Sequence, residues 1–273
     1  MLDSIASPQP EDAVARKLLL ALGSIVAFCL LAEGVVRLLG PDISVPGSSQ
    51  RFRFEHATAA AHPLHVRDAR YGWRLQPGQR ITLQTGGADP SANAMRTNSH
   101  GFRGGEFEDY KPPDVMRILF VGDSNPMGFG IANDEATYAV GVARLLDRHL
   151  GGRTGFESIN LGVDGYSSFQ ARRVVEDFVP RLDPDVVCIQ VGFNDHTLSA
   201  VPDSAVSFDR PAILDALEQA HAYRWLRRQL LILTRQHERA FEPVPRVSVA
   251  GYEANVRDMI ERAKGAGATV VLI

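Results

Sequence analysis

The sequence predicts an α/β fold: a flavodoxin-like, three-layer α/β/α arrangement in which helices cover both faces of a parallel sheet. From residue 116 to residue 273, short apolar strands alternate with amphipathic helices, and repeated strand–helix units form parallel sheets through right-handed crossovers. The segment 185–191 (DVVCIQV) is apolar at successive positions, which is typical of a strand buried on both faces. An apolar run over 18–39 adds an N-terminal helix that precedes this fold.

Each element of the α/β domain follows from a local pattern. Strands are predicted over 116–121, 158–163, 185–191 and 268–273, and helices over 137–150, 168–182, 212–236 and 252–264. Apolar side chains at helical spacing, such as Val142, Leu145 and Leu146, indicate the helices. Asp183-Pro184 ends the second helix, because the residue before a proline disfavours helical backbone angles. The long helical stretch over 212–236 is predicted to be an insertion after the third strand.

Composition and charge narrow the class of protein. A chain of 273 residues with 45% hydrophobic and 22% charged residues suits one globular domain with appendages. The net charge of -3 provides no broad basic surface, so we expect no nucleic-acid partner. Cys29 and Cys188 both lie in apolar segments, and we predict that neither forms a disulfide or binds a metal.

The N-terminal apolar run is long enough to cross a bilayer. Residues 18–32 are uncharged, and the apolar character continues to Leu39 with only Glu33 and Arg37 interrupting it. A membrane-spanning helix needs about 20 residues. Glu33 and Arg37 are four residues apart, so they share one helix face and are expected to pair.

A cleaved signal peptide is the alternative interpretation, because Arg16 and Lys17 precede the apolar core. The small residues that a cleavage site requires are missing before Ala32 and Cys29. We therefore predict an uncleaved, single-pass signal anchor in the cytoplasmic membrane. The basic residues before it favour a cytoplasmic N-terminus and a periplasmic main domain.

Four segments follow from these patterns. Residues 1–17 are predicted to be an N-terminal tail and 18–39 the transmembrane anchor. Residues 40–115, rich in Gly, Pro and Ser, are predicted to be an irregular lead-in with short strands. Residues 116–273 form the α/β domain.

Polar or small residues stand just past three successive strands of this domain: Ser124, Gly165 and Asn194. In the strand order 2-1-3-4-5, the first strand lies between the second and third, so their carboxyl ends meet at one crevice. A serine hydroxyl there can attack an acyl carbon. The backbone N–H groups of Ser124 and Gly165 and the amide of Asn194 would surround the resulting oxyanion. The arrangement predicts acyl transfer from an ester.

The segments that contain these residues resemble the SGNH or GDSL hydrolases. The first block is Gly122-Asp123-Ser124 with Gly128, the second is Asn160-Leu161-Gly162-Val163-Asp164-Gly165, and the third is Gly192-Phe193-Asn194-Asp195. The similarity extends over about residues 70–273 and includes 96–103 (RTNSHGFR) and the helix–strand unit from Tyr252. Membrane-anchored bacterial members have a similar N-terminal span that ends in Glu-x-x-x-Arg, as at Glu33 and Arg37.

The resemblance implies that Ser124 is the nucleophile and that Gly165 and Asn194 complete the oxyanion hole. It also implies the SGNH hydrolase fold, and chemistry that needs no cofactor. Taken singly, the glycines also suit turns, and Asn194-Asp195 also suits a helix cap.

The general base of that family is a histidine three residues after an aspartate, in a loop that follows the last strand. This sequence contains no such motif after the strand over 268–273. Because a serine without a base is a weak nucleophile, we expect the sequence to be a fragment, incomplete at its C-terminus. These 273 residues alone are expected to show little or no turnover.

The other histidines suit the role of base less well. His196 is nearest to the crevice in sequence, but the continuation of the strand is expected to turn it away from Ser124. His221 and His237 lie on the inserted helices. His56, His62 and His65 have no accompanying cluster of carboxylates or cysteines, so no metal site is predicted.

The sequence thus predicts a serine esterase or acylhydrolase that acts on O-acyl groups, such as acetyl esters, of small molecules, glycans or lipids. Two alternatives remain open: a non-catalytic, membrane-anchored protein that binds carbohydrate or acyl groups, and an O-acyltransferase that uses the same serine. A phosphate-binding loop is disfavoured, because the glycines after the first strand lack a following Gly-Lys-Ser/Thr.

Overall fold

A computed structural model of the chain describes residues 10–41, 64–82, 94–131, 133–150, 152, 154–199, 201–206, 208, 211–217, 219–238 and 243–273. The described residues belong to two compact units. One groups those of 1–47 with those of 211–238, and the other groups those of 48–210 with those of 239–273.

Seven helices and ten strands are assigned within the described residues. The helices are α1 (Pro10–Leu39), α2 (Ser124–Met127), α3 (Tyr138–Leu150), α4 (Ser168–Leu182), α5 (Ala212–Leu217), α6 (His221–Glu238) and α7 (Val249–Gly265). The strands are β1 (His65–Asp68), β2 (Gly72–Leu75), β3 (Arg80–Thr82), β4 (Ala94–Arg96), β5 (Val115–Gly122), β6 (Gly155–Gly162), β7 (Val186–Gln190), β8 (Leu198–Ser199), β9 (Val244–Pro245) and β10 (Thr269–Leu272).

The four strands predicted from the sequence form one parallel sheet in the order β10-β7-β5-β6. The first strand of this sheet in chain order, β5, therefore lies between the second, β6, and the third, β7, which confirms the predicted order. At the carboxyl end of the sheet, Gly122 is in register with Gly162 on one side and with Gln190 on the other. The segments that follow these three residues leave the sheet at the same level.

Side chains of β5 alternate between the two faces of the sheet, as the two-residue period of a strand requires. Ile118 and Phe120 are buried in a cluster with Ala139 of α3. Leu119 and Val121 are buried in a second cluster, which α4 and α7 also supply. Helices therefore cover both faces, and the predicted α/β/α fold class is confirmed.

Two short antiparallel hairpins, β1–β2 and β3–β4, precede the sheet. Trp73, Leu75, Met95 and Phe102 from this region are at most 3% exposed and belong to the same core cluster as β5. Short strands were predicted here, and the structure adds that the region supplies core side chains. Residues 42–63 and 83–93 of the predicted lead-in lie outside the described residues.

The other unit consists of α1, α5 and α6. Helix α1 begins at Pro10, within the segment predicted as a tail, and Arg16–Leu39 is by length and composition able to cross a membrane. Arg37 Nε donates to Glu33 Oε1 at 2.7 Å, so the predicted pairing of Glu33 and Arg37 is confirmed.

The long helical stretch predicted over 212–236 is divided into two helices, because α5 ends at Leu217 and α6 begins at His221. The carboxylate of Glu33 accepts hydrogen bonds from the backbone N–H groups of His221 at 3.0 Å and Ala222 at 2.8 Å. These are the first N–H groups of α6, which have no partner within the helix itself. A cap from a distant segment therefore stabilises a helix start that the local pattern does not show.

Candidate active site

Ser124 lies at the sharp turn between β5 and α2. Asp123 caps the single turn of α2, because its carboxylate accepts from the backbone N–H of Asn125 at 2.8 Å. Gly128 closes the turn in the left-handed region, with φ of 80°, which favours glycine. The side chain of Ser124 is half-buried. No described residue hydrogen-bonds to its hydroxyl group.

A buried arginine holds the loop that follows α2. Arg103 is 2% exposed, and its guanidinium donates to Gly128 O at 2.7 Å and Ile131 O at 2.8 Å. Asp134 Oδ1 accepts from Arg103 Nε at 2.8 Å and compensates its charge. Arg103 lies in the family-like segment 96–103, but its role was not predicted, since a sequence does not show which backbone carbonyls an arginine reaches.

The second block packs directly on this turn. Asn160 Nδ2 donates to Pro126 O at 2.7 Å, and the backbone N–H of Val163 donates to Gly122 O at 3.2 Å. A Cβ atom on Gly162 would lie 2.5 Å from the backbone nitrogen of Met127. Only glycine lets the end of β6 approach the turn of Ser124 so closely.

Gly165 lies three residues past the end of β6, in a buried turn. The backbone N–H of Tyr166 donates to Val163 O at 3.2 Å, and Gly165 has φ of 78°. A positive φ at the third position is the signature of a type II turn. The backbone conformation of this turn therefore favours glycine at position 165.

The third block is joined to the second by a side-chain hydrogen bond. Asn194 is 7% exposed, and its Nδ2 donates to Tyr166 O at 3.0 Å. Asp195 is 4% exposed, and its carboxylate accepts from the backbone N–H of Ser168 at 3.0 Å and from the Ser168 hydroxyl. Asp195 thus caps the start of α4.

These contacts place Ser124, Gly165 and Asn194 on three segments that leave adjacent strands at one edge of the sheet. The hydrogen bond from Asn160 to Pro126 O joins the first block to the second, and the hydrogen bond from Asn194 to Tyr166 O joins the second to the third. Gly192 also belongs to this edge, and a Cβ there would lie 3.4 Å from the ring of Tyr252. The glycines and carboxylates of the three blocks thus shape the turns, and the same edge carries the hydroxyl group of Ser124 and the side-chain amide of Asn194.

Two carboxyl groups beside this edge have raised pKa values. Burial raises the pKa of Asp123 above its usual value, although hydrogen bonds from Asn125 oppose the shift. Burial likewise raises the pKa of Asp195, against the hydrogen bonds from Ser168. Both carboxyl groups are held by local donors, which suits their role as caps.

The histidines occupy different surroundings. His196 is exposed, and its Nδ1 lies 3.4 Å from Gly192 O. His65 is buried, and its Nε2 lies 2.5 Å from Asp164 Oδ1. His56 and His62 lie outside the described residues, as does the side chain of His237. Within the part of the chain that the structure describes, no group of three or more His, Cys, Asp or Glu side chains is placed to hold a metal ion.

A buried ion pair beside the second block was not predicted. Arg246 and Asp203 are 2% and 0% exposed, and Arg246 Nη2 lies 2.9 Å from Asp203 Oδ2. Both residues lie in segments flanking the insertion, where the sequence shows no strong periodic pattern. Their partnership depends on the tertiary fold, since they are 43 residues apart.

Comparisons with solved structures give low similarity. TesA is 18% identical, with a TM-score of 0.36 over 57% of this chain and 59% of that chain. The acetylxylan esterase Axe2 from Geobacillus stearothermophilus, as a catalytic mutant, is 20% identical, with a TM-score of 0.33 over 57% and 58%. The psychrotrophic esterase EstA from Pseudoalteromonas sp. is 17% identical, with a TM-score of 0.33 over 57% of each chain. The chain therefore spans less than two thirds of the length of these proteins.

A search of curated proteins found no significant match. The model of the GDSL-like lipase/acylhydrolase family, by contrast, matches residues 120–273, more than half of the chain. The match includes all three blocks at the carboxyl edge of the sheet, and it begins within β5, just before Ser124. The chain belongs to the GDSL-like lipase/acylhydrolase family and has the SGNH hydrolase fold.

Proposed function

We propose that the protein is a serine esterase that cleaves O-acyl esters, such as acetyl esters of glycans, lipids or smaller molecules. The observation that carries the proposal is the hydrogen bond from Asn194 to Tyr166 O at 3.0 Å. This bond joins the Asn194 side chain, which follows β7, to the turn that contains Gly165, which follows β6. Gly122, two residues before Ser124, ends the strand β5 that lies between β6 and β7.

In the proposed reaction, Ser124 Oγ attacks the acyl carbon and the carbonyl oxygen becomes an oxyanion. The backbone N–H groups of Ser124 and Gly165 and the Nδ2 amide of Asn194 donate to that oxygen. An amide NH2 carries two hydrogens, and Asn194 gives one of them to Tyr166 O. The other serves the oxyanion, and preorganised donors of this kind usually supply the largest part of such catalysis.

The scheme also requires a base that takes the proton from Ser124 Oγ. No described histidine hydrogen-bonds to that hydroxyl group. The scheme therefore assigns the role of base to no described residue. The protonated base then gives the proton to the departing alkoxide as the ester C–O bond breaks, so that the alcohol leaves. Water, deprotonated by the same base, attacks the acyl-serine and releases the acid, and Ser124 Oγ regains its proton.

The test uses the full-length protein with p-nitrophenyl acetate as substrate and a fluorophosphonate as a serine-directed label. We expect hydrolysis of the acetate ester and a single phosphonate adduct, which mass spectrometry of peptides places on Ser124. An adduct on another serine, with Ser124 unmodified and hydrolysis blocked, contradicts the assignment. Release of acetate to water rather than to an added sugar alcohol separates the esterase from an O-acyltransferase.

We also propose that α1 anchors the protein in the cytoplasmic membrane, with the α/β domain in the periplasm. The most apolar 18-residue window within Arg16–Leu39 of α1 has a mean hydropathy of 2.3, and the basic residues Arg16 and Lys17 stand at the start of that stretch. Proteinase K added to spheroplasts is expected to digest the domain without detergent. A domain that is digested only after detergent lysis contradicts this orientation.

A further inference from the structure

The direction of one peptide group decides whether Gly165 can act as an oxyanion donor. The N–H of Gly165 belongs to the central peptide of the type II turn from Val163 to Tyr166. Type I and type II turns differ by a flip of this central peptide, which reverses the direction of its N–H and C=O groups. A donor that must meet an oxyanion therefore needs a structure that prevents the flip.

Trp73 holds the carbonyl side of this peptide. Its indole Nε1 donates to Asp164 O at 3.1 Å, and the side chain is 0% exposed. In a trans peptide the C=O and the following N–H point in opposite directions within one plane. Since Trp73 binds the carbonyl of Asp164, it also sets the direction of the Gly165 N–H.

Arg246 holds the next peptide. Its Nη1 donates to Gly165 O at 2.8 Å, while Nε and Nη2 donate to Asp203 Oδ1 at 3.0 Å and Oδ2 at 2.9 Å. The buried charge of Arg246 is thus compensated, and its planar fork is held in one orientation. The guanidinium carbon also lies 5.9 Å from the centre of the Trp73 ring. Trp73 and Arg246 thus bind the peptide groups before and after Gly165.

We propose that Trp73 and Arg246 are positioning residues that fix the Gly165 turn in the conformation in which its N–H donates to the oxyanion. This inference rests on the proposed esterase function. Both residues act through the backbone of Gly165, and neither is expected to touch the substrate. Trp73 lies in β2, and Arg246 follows β9. Segments that precede and follow β5, β6 and β7 in the sequence therefore complete the site.

The first experiment replaces Trp73 with phenylalanine in the full-length protein, which keeps an aromatic ring but removes the indole N–H. We expect kcat for p-nitrophenyl acetate to fall about 10-fold to 100-fold, somewhat less than the loss of a whole oxyanion donor. KM should stay within about twofold, because the oxyanion forms only in the transition state.

Tyr71→Phe is the matched control. Its hydroxyl donates to Asp177 Oδ2 at 2.6 Å, so the change removes a hydrogen bond of the same β1–β2 region but keeps the ring, whose centre lies 6.3 Å from that of Tyr166. We expect it to retain wild-type kcat. An equal loss of kcat in Tyr71→Phe and Trp73→Phe would overturn the proposal, since it would show a general structural effect.

A direct readout of the turn uses protein labelled with 15N-glycine, in which the Gly165 resonance is identified by its loss in Gly165→Ala. We expect this resonance to move or split in Trp73→Phe and to keep its position in Tyr71→Phe. If Trp73→Phe does not fold, Arg246→Lys replaces it, because a single ammonium group cannot donate to Asp203 and Gly165 O through a planar fork. An unmoved Gly165 resonance, or a kcat within twofold of wild type, overturns the proposal.

The Ser124→Ala variant separates the two levels of inference. If it retains full activity, the proposed function fails, whatever Trp73→Phe shows. If Ser124→Ala is inactive while Trp73→Phe behaves as wild type, the esterase assignment stands and only the positioning role of Trp73 and Arg246 is refuted.

Discussion

Replacing Ser124 with alanine is expected to lower kcat for p-nitrophenyl acetate by about a thousandfold or more. The change removes the only atom that forms the covalent bond to the acyl group in the proposed mechanism, and loss of a serine nucleophile has effects of this size or larger. The fold should tolerate the change, because Ser124 is half-buried and no described residue hydrogen-bonds to its hydroxyl group. Steady-state kinetics together with a thermal unfolding curve measure both effects.

Ser158→Ala provides the control for this experiment. Ser158 is also half-buried but lies in the middle of β6, where it is in register with Ile118, away from the carboxyl end of the sheet. We expect wild-type kinetics from this variant. If Ser124→Ala hydrolyses the ester as fast as Ser158→Ala does, Ser124 is not the nucleophile.

Replacing Asn194 with alanine is expected to lower kcat by about 100-fold to 1000-fold, the usual effect of removing one oxyanion donor. KM should change little, because the donor interacts with a charge that develops only in the transition state. The variant also loses the hydrogen bond to Tyr166 O at 3.0 Å. A moderate loss of thermal stability is therefore expected beside the kinetic effect, since a buried acceptor is left unpaired.

Asn255→Ala separates these two effects. Asn255 Nδ2 donates to Ser168 Oγ at 2.9 Å, so this variant loses a comparable side-chain hydrogen bond next to Asp195 but leaves Tyr166 and Gly165 untouched. We expect it to lose stability and to keep kcat. A kcat in Asn194→Ala that is within about threefold of Asn255→Ala would show that Asn194 is a structural residue and not an oxyanion donor.

The parallel sheet was predictable because it follows from general rules of α/β topology, and the strand order was expected from the flavodoxin-like arrangement. Alternating strands and helices require a parallel sheet, and the apolar segment 185–191 indicates a strand buried on both faces. The structure confirms the consequence that β5 lies between β6 and β7. The convergence of the three blocks at one edge depends on this order alone.

The break between α5 and α6 was not predictable from the local pattern. The stretch 212–236 has helical periodicity throughout, and a window of sequence shows only that periodicity. The start of α6 depends on the Glu33 carboxylate, which binds a backbone N–H 188 residues away. A helix cap that comes from a distant segment leaves no signal beside the helix.

The buried arginines illustrate a second limit. Arginine is normally an exposed residue, and burial becomes favourable only when its charge and donors are satisfied. Arg103 is paired with Asp134 and donates to the carbonyl of Gly128 in the first block, and Arg246 is paired with Asp203 and donates to the carbonyl of Gly165 in the second. These partners are far away in sequence, so composition and periodicity do not show that either arginine is buried.

The sequence by itself determined the fold class and the residue types at the three strand ends, because periodicity and strand–helix alternation are local properties of the chain. Only the tertiary structure decided how the Gly165 peptide is oriented. That orientation depends on hydrogen bonds from Trp73 and Arg246, which are 91 and 81 residues away from their acceptors. Contacts over such distances exist only after the chain has folded, since they depend on where the crossovers bring the segments together.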